Sequence, residues 1–395
     1  MIKKKNLLIY SEKVEEEYLV IDEVCKNLVF VDENIKRVRF DKKNKKFIIY
    51  LSKNFLNYKK KIISNKIKKF LIKSYSKYKI PKSEVLFNKL KNKNIYDKNP
   101  MKSLIKNKVI FKEEEGVYSF GDKLTKLINI FDRKIIEVAK KMNAKNFHFP
   151  SLMSGKMLNQ IDYLKNNPHN LGFVTHLKED INKIDNFKKK IATKKTINFD
   201  KNNFSESKVI LSPTVCQHLY HYLSNSKLKN NITATATGHC FRYESKNMHF
   251  VDRLWNFTMR EIIFVGSKEY VSKSLVKSMK LLNKVLDQFG LSYIIQSASD
   301  PFFGDMSGDK SLFQKTFKLK YEVRSAIPYN NSTISIGSYN NSQDFFAKKL
   351  KISNKKGKHV YSGCVGFGNE RFAYSFICQY GIDEKKWPKN IAKLL

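Results

Sequence analysis

Four charged side chains stand in a stretch whose pattern predicts a buried hairpin, Thr237 to Gly266 (TGHCFRYESKNMHFVDRLWNFTMREIIFVG). Arg242 and Glu244 fall at the end of the apolar run that opens at Cys240, and Arg260 and Glu261 lie within a second run, Met259 to Val265. Between them is a polar loop with Lys246, Asn247, His249 and Asp252. An ionised group buried among apolar residues costs several kcal/mol unless a partner or a ligand meets it. Two internal salt bridges would meet these four charges; so would a bound molecule.

Other residues of the same chemical kind are spread along the chain. Cys216 follows Ser212-Pro213-Thr214, where Thr214 reads as a helix N-cap, so the thiol falls in a helical first turn. Free cysteine is ordinarily a small core residue, but a first turn also stabilises a thiolate. Ser362 to Gly368 (SGCVGFG) reads as a strand of small residues running into a helix that begins near Asn369. Its glycines admit a ligand to the backbone, and Arg371 in the first turn could reach a phosphate. The spacing is neither that of a Walker loop nor that of a dinucleotide fingerprint. Phe317 to Ile327 alternates, placing Lys318, Lys320, Glu322 and Arg324 on one face, which is either solvent or the lining of the hairpin's cleft. His169 and His176 are read as loop or core histidines rather than a metal pair.

The elements that must carry these residues follow from periodicity. Lys123 to Met142 repeats apolar residues at helical spacing and leads into a short strand, Asn146 to Phe149, stopped by Pro150. Asp180 to Ser207 is charged and loop-like, with helical character around Asn186 to Lys190, and Glu269 to Phe289 is an amphipathic helix ended by Gly290. Residues 1–97 form a separate Lys-rich module, with a hairpin over Ile35 to Leu51 and a helix with apolar positions Ile63, Ile67, Phe70 and Leu71. The polar stretch Lys91 to Met101 marks the boundary with a second domain, 98–395.

Composition sets the outer limits. The formal charge is +40, from 76 Lys+Arg against 36 Asp+Glu, but Lys and Asn are abundant throughout, as a genome-wide bias would make them. A basic surface favours acidic partners, and both an acidic carrier protein and tRNA qualify. No apolar run approaches the roughly 20 residues of a membrane helix, and the start MIKKKNLLIYSEK is too short in apolar residues for a signal peptide, so a cytoplasmic protein is expected. Five cysteines without framework spacing argue against disulfides.

Taken together the pieces resemble a class II aminoacyl-tRNA synthetase core. The helix, strand and Pro150 are similar to motif 1. Phe241-Arg242-Tyr243-Glu244, a loop and Arg253-Leu254-Trp255-Asn256-Phe257 are similar to motif 2, and Gly366-Phe367-Gly368 with Arg371 to motif 3. The resemblance covers about residues 100–395 and narrows further. Cys216, Glu261 and Cys364 match the zinc set of atypical archaeal seryl-tRNA synthetases and of their truncated relatives, the amino acid:[carrier protein] ligases. Tyr163-Leu164-Lys165 with Pro168-His169, Asp300-Pro301-Phe302-Phe303-Gly304 and Cys364 to Gly368 resemble the ligases specifically.

The resemblance implies an α+β fold, an antiparallel sheet flanked by helices, in a homodimer. It implies a ligase that uses ATP with magnesium to convert a small amino acid, glycine or alanine with serine behind, into an aminoacyl-adenylate, and transfers it to the phosphopantetheine thiol of a carrier protein. Arg242 would then bind the α-phosphate and carboxylate, Glu244 the adenine side, Phe257 the base and Arg371 the far phosphate or the other adenine face. Arg253 joins the nucleotide set and Glu322 is the magnesium ligand. Two cysteines and a glutamate leave one tetrahedral position open, the pattern of a working zinc. The alternatives are a seryl-tRNA synthetase whose N-terminal module binds tRNA, a reading that Ser338-Tyr339-Asn340 and Asp344 to Lys349 favour, and a non-catalytic paralogue, against which Arg242, Glu244 and Arg371 argue. Arg260 has no role in this scheme.

Overall fold

The computed structural model describes residues 7–10, 21–41, 43–52, 59–75, 81–91, 96–192, 200–248, 251–300 and 307–395. Its centre is a sheet of eight strands: β1 (Val85–Lys89), β2 (Lys145–Asn146), β3 (Ile232–Phe241), β4 (Asn256–Gly266), β5 (Tyr293–Ser297), β6 (Lys320–Ile327), β7 (Ser332–Gln343) and β8 (Tyr361–Gly368). They lie in the order β1-β5-β6-β7-β8-β4-β3-β2, antiparallel except for the short β3–β2 pair.

Three helices cover one face: α1 (Asp122–Lys141), α3 (Lys268–Gln288) and α4 (Asn369–Tyr380), while α2 (Cys216–Tyr222) lies on the other. The helix-covered face holds Phe131, Ile262, Phe264, Phe289, Phe367 and Phe372, all fully buried. Phe131 stacks on Phe372 at 3.4 Å between centroids, and Phe289 meets both rings edge-on. Such aromatic pairs add to the stabilisation from burial alone. The opposite face holds Cys216, Leu219, Tyr220, Ile263, Val265 and Cys364.

This division is dictated by strand geometry. Successive side chains point to opposite faces, so along β4 Ile262 and Phe264 turn to the helices while Glu261, Ile263 and Val265 turn away. Arg260 shares the helix side, where α1 offers Asp132.

The N-terminal residues form a smaller α+β unit: antiparallel strands Leu7–Tyr10, Lys46–Leu51 and Ile35–Asp41, with helices Ile21–Leu28 and Lys59–Tyr75 packed on Phe47 and Ile49. Both the hairpin and the helix expected there are present. Residues 85–89 already pair with β5 of the large sheet.

Several boundaries differ from the sequence reading. The strand expected at Asn146 to Phe149 is only Lys145–Asn146, because Phe147 leaves the ladder after one further bond, from its N–H to the Thr235 carbonyl. The strand expected from Phe317 starts at Lys320, since a helix, Ser307–Thr316, occupies the preceding residues. The charged stretch after Asp180 holds a twelve-residue helix, Ile181–Ala192. Pro301 to Gly304 lie outside the described residues.

Candidate functional site

The hairpin is longer than its apolar runs suggested, and its strands end before the first pair of charges. β3 stops at Phe241, so Arg242 and Glu244 sit on the turn beyond it rather than on a strand. Arg242 is tied to the hairpin nonetheless: its N–H meets the Trp255 carbonyl at 2.9 Å, its Nε donates to the Pro213 carbonyl at 3.0 Å, and its guanidinium lies 5.5 Å from the Phe257 ring centroid. Cation–π geometry of this kind orients the guanidinium without neutralising it. Glu244 pairs with Arg253 across the loop and has Arg371 Nη2 at 3.9 Å. The side chains of Lys246 and His249 lie outside the described residues.

Arg371 projects from the first turn of α4, at the end of β8. Its Nε donates to the Asp252 carbonyl at 2.7 Å and its Nη1 to the Ser335 carbonyl at 3.1 Å, which joins the hairpin loop to β7. Burial pulls its pKa down, and the neighbouring Arg242 and Arg324 charges add to that pull against Asp252 and Glu322. Arg242, Arg324 and Arg371 are thus close enough to act on one another, an arrangement that favours a polyanion.

The charged face of β6 adjoins these arginines. Arg324 Nη1 is 3.1 Å from Glu322 Oε2, and its Nε and Nη2 are held by the Thr333 hydroxyl and carbonyl. Lys320 pairs with Asp300 and stands 3.8 Å from Glu322. Burial works to raise the Glu322 pKa, but Lys320, Arg324 and Lys26 outweigh it and hold the carboxyl below its usual range. Asp300 is held down in the same way, chiefly by Lys320, against its burial.

On the far side of Arg242 are Cys216, Glu261 and Cys364, all buried, with their ligand atoms within 4.8 Å of one another. Cys216 is the first residue of α2, though the helix is capped by Val215 without a side-chain bond, not by Thr214. Glu261 and Cys364 share a sheet face by register: Glu261 is opposite Gly366, two residues along β8 from Cys364. A Cβ at Gly366 would lie 3.3 Å from Glu261 Cγ and 2.8 Å from Met259 Cε, so the glycine makes room for the carboxylate.

Two thiols and a carboxyl are a poor set to bury together. The Cys216 thiol is pushed up by its contact with Cys364 and by burial, and burial raises the Glu261 carboxyl. Glu261 Oε2 has no hydrogen-bond partner among the described residues. Sulfur and carboxylate donors at this separation, one of them unsatisfied, fit a divalent metal with an affinity for soft and borderline ligands, and zinc suits them.

The remaining residues separate from the site. Cys240 and Cys378 are buried and Cys25 half-buried, none in the thiol pair. His169 and His176 have separate neighbours: His176 Nδ1 is 2.8 Å from the Leu177 carbonyl, and His169 packs edge-on against Phe30. Two carboxylates were missed. Glu370 accepts from the Thr258 N–H (2.9 Å) and Oγ1 (2.7 Å), locking α4 to β4. Asp132 receives Arg260, and its signal was an acid four residues from Ile128 on an apolar stripe.

Comparison with known proteins bears on the fold that carries these residues. Residues 194–380 match the model of the tRNA synthetase class II core domain (G, H, P, S and T). The type-2 serine–tRNA ligase of Methanocaldococcus jannaschii is 25% identical over 317 residues, 77% of this chain, and the match spans 61% of that relative's length. Amino acid–[acyl-carrier-protein] ligase 1 of Bradyrhizobium diazoefficiens is 28% identical over 274 residues, 66% of this chain and 79% of the relative. In fold the chain is similar to the M. kandleri SerRS solved in complex with A. aeolicus tRNASec, with a TM-score of 0.73, 16% identity, and coverage of 98% of this chain and 77% of the other. Residues 194–380 thus match a class II tRNA synthetase core domain, within a chain similar both to the type-2 serine–tRNA ligases and to the amino acid–[acyl-carrier-protein] ligases.

Proposed function

We propose that the protein is a ligase that activates a small amino acid with ATP and passes the aminoacyl group to the phosphopantetheine thiol of a carrier protein. The observation that carries this reading is the adjacency of two unlike sites: an arginine-lined cleft suited to a polyphosphate, and a Cys-Glu-Cys set suited to zinc, with Arg242 between them.

In the first step the amino acid carboxylate attacks the α-phosphorus of ATP, an O–P bond forms, and pyrophosphate leaves. Arg242 neutralises the α-phosphate and the attacking carboxylate, and its cation–π seat on Phe257 holds it in line. Arg371 takes the outgoing phosphates or the adenine face, Glu244 and Arg253 hold the adenine side, and Phe257 packs the base. Glu322, kept ionised by its cationic neighbours, offers a hard oxygen for magnesium. Catalysis here is positioning and charge neutralisation rather than covalent work by the protein. Cys216, Glu261 and Cys364 would hold zinc, which when bound supplies a Lewis-acid position for the substrate's amino group.

In the second step the carrier thiolate attacks the adenylate carbonyl and AMP leaves. Pocket size separates substrates that differ by a methylene by only about 1–3 kcal/mol, so glycine and alanine compete. Transfer of labelled glycine or alanine to holo carrier protein, but not to its apo form or to tRNA, tests the acceptor.

A second reading, seryl transfer to tRNA, is favoured by the fold similarity that covers 98% of the chain and so includes the basic N-terminal module. Label on tRNA in the same assay selects it. Both readings are compatible with a homodimer.

A further inference from the structure

The N-terminal module touches both rims of the cleft. On the hairpin side, the Lys26 carbonyl accepts from Asn247 Nδ2 at 3.4 Å, and strand Ile35–Asp41 packs on the Ser245–Asn247 turn that directly follows Glu244. Phe30 meets His169 edge-on, 4.7 Å between centroids. His169 belongs to the turn whose Asn170 carbonyl receives the Tyr243 N–H at 2.9 Å, so this contact too supports the hairpin loop.

On the opposite rim, helix Lys59–Tyr75 packs against helix Ser307–Thr316, and Lys315 Nζ donates to the Pro81 carbonyl at 3.3 Å. Within that helix Gln314 exchanges two hydrogen bonds with Asp300, the partner of Lys320. The module therefore spans from the residues beside Glu244 to the residues that hold Lys320.

Lys26 lies at the hairpin end of this bridge, where its carbonyl accepts from the Asn247 side-chain amide. It is carried by a different unit of the chain than Lys320 and Arg324, and its backbone is fixed to the turn that follows Glu244. A lysine anchored at this turn adds positive charge beside the arginines, which favours an anion bound there.

We propose that the N-terminal module clamps the cleft in cis, seating the Ser245–Asn247 turn, and that Lys26 adds a positive charge to the phosphate end of the nucleotide site. The inference rests on the reading of the cleft as an ATP site, and gives residues 1–97 a part in nucleotide binding that is separate from any acceptor.

The test is equilibrium binding of ATP and of adenosine to the full chain, by calorimetry, in wild type, Lys26→Ala and Lys26→Arg. Loss of a charge-assisted contact weakens ATP about tenfold in Lys26→Ala, leaves adenosine unchanged, and is largely restored in Lys26→Arg. Unchanged ATP affinity in Lys26→Ala, or equal weakening of ATP and adenosine, overturns the role of Lys26. A wild type that binds no ATP overturns instead the nucleotide reading on which it rests. The seat is tested by Phe30→Ala with hydrogen exchange: the amides of Ser245–Asn247 exchange faster while those of Ile262–Val265 do not change. Unaltered exchange at the turn overturns the clamp.

Discussion

Arg260 and Asp132 form a closed, two-point ion pair: Nε and Nη2 of the arginine each lie 2.8 Å from one carboxylate oxygen, on the helix side of the sheet. The next residue, Glu261, faces the opposite side and the two cysteines. One step along a strand thus separates a structural charge from a candidate ligand.

The pair predicts a large stability cost for breaking it. Arg260 is 7% exposed, so Arg260→Ala leaves Asp132 largely desolvated without its partner and should cost about 3 kcal/mol. Chemical denaturation measures it. Arg260→Lys keeps the charge but loses the fork and should recover only part of the loss. A cost under about 1 kcal/mol, the value of an exposed pair, would contradict the account.

Metal content tests the thiol set. Purified wild-type chain should hold one equivalent of zinc after dialysis, and Cys216→Ala, Cys364→Ala and Glu261→Ala should each hold much less. Emission spectrometry of folded protein reads it directly. Undiminished zinc in the cysteine variants would move the ligand assignment elsewhere.

His218 predicts a pH dependence. Burial lowers its pKa from 6.5 to about 4 while its ring stacks on Phe149 and its Nε2 meets the Ser212 hydroxyl at 3.0 Å. Between those values the unfolded chain binds more protons at this site than the folded one, so its contribution to stability is complete above pH 6.5 and is lost as pH falls towards 4. Carboxylates titrate in the same window, so the check is a difference: the wild type should lose stability more steeply than His218→Gln between pH 6.5 and 4. Parallel curves would refute it.

Much of this was open to reading in the sequence, for identifiable reasons. Arginine and glutamate in an apolar hairpin, glycines ahead of Arg371, and isolated cysteines are chemically costly choices, and each stands out against its neighbours. What was not legible depends on three dimensions. Glu244 looked like a strand residue because Tyr243 continues the apolar run, yet the strand ends at Phe241, where the chain turns into the loop. The Lys320-Glu322-Arg324 face has two readings in the sequence, and only the pairing of Lys320 with Asp300 and the nearness of Glu322 and Arg324 to Arg371 show that it is enclosed rather than bare to solvent. Lysines in residues 1–97 looked alike by composition; Lys26 is distinguished by where its helix docks.

Arg324 should matter through Glu322. Removing it in Arg324→Ala takes away one of the cations that hold that carboxyl low, so the Glu322 pKa rises. The acid limb of the pH–rate profile for activation should shift upward and the magnesium requirement should increase by several-fold, with Arg324→Lys intermediate. A profile that keeps its position while overall activity falls would mark Arg324 as a packing residue only.

The central claim is amino acid activation in the cleft shared by Arg242 and Arg371, and ATP–pyrophosphate exchange measures it most directly. The wild-type chain should exchange label in the presence of glycine or alanine. Arg242→Ala and Arg371→Ala should each lower the rate by about 100- to 1,000-fold, the loss typical of a transition-state charge stabiliser. Exchange absent from the wild type with every amino acid, or undiminished in both variants, would contradict the account.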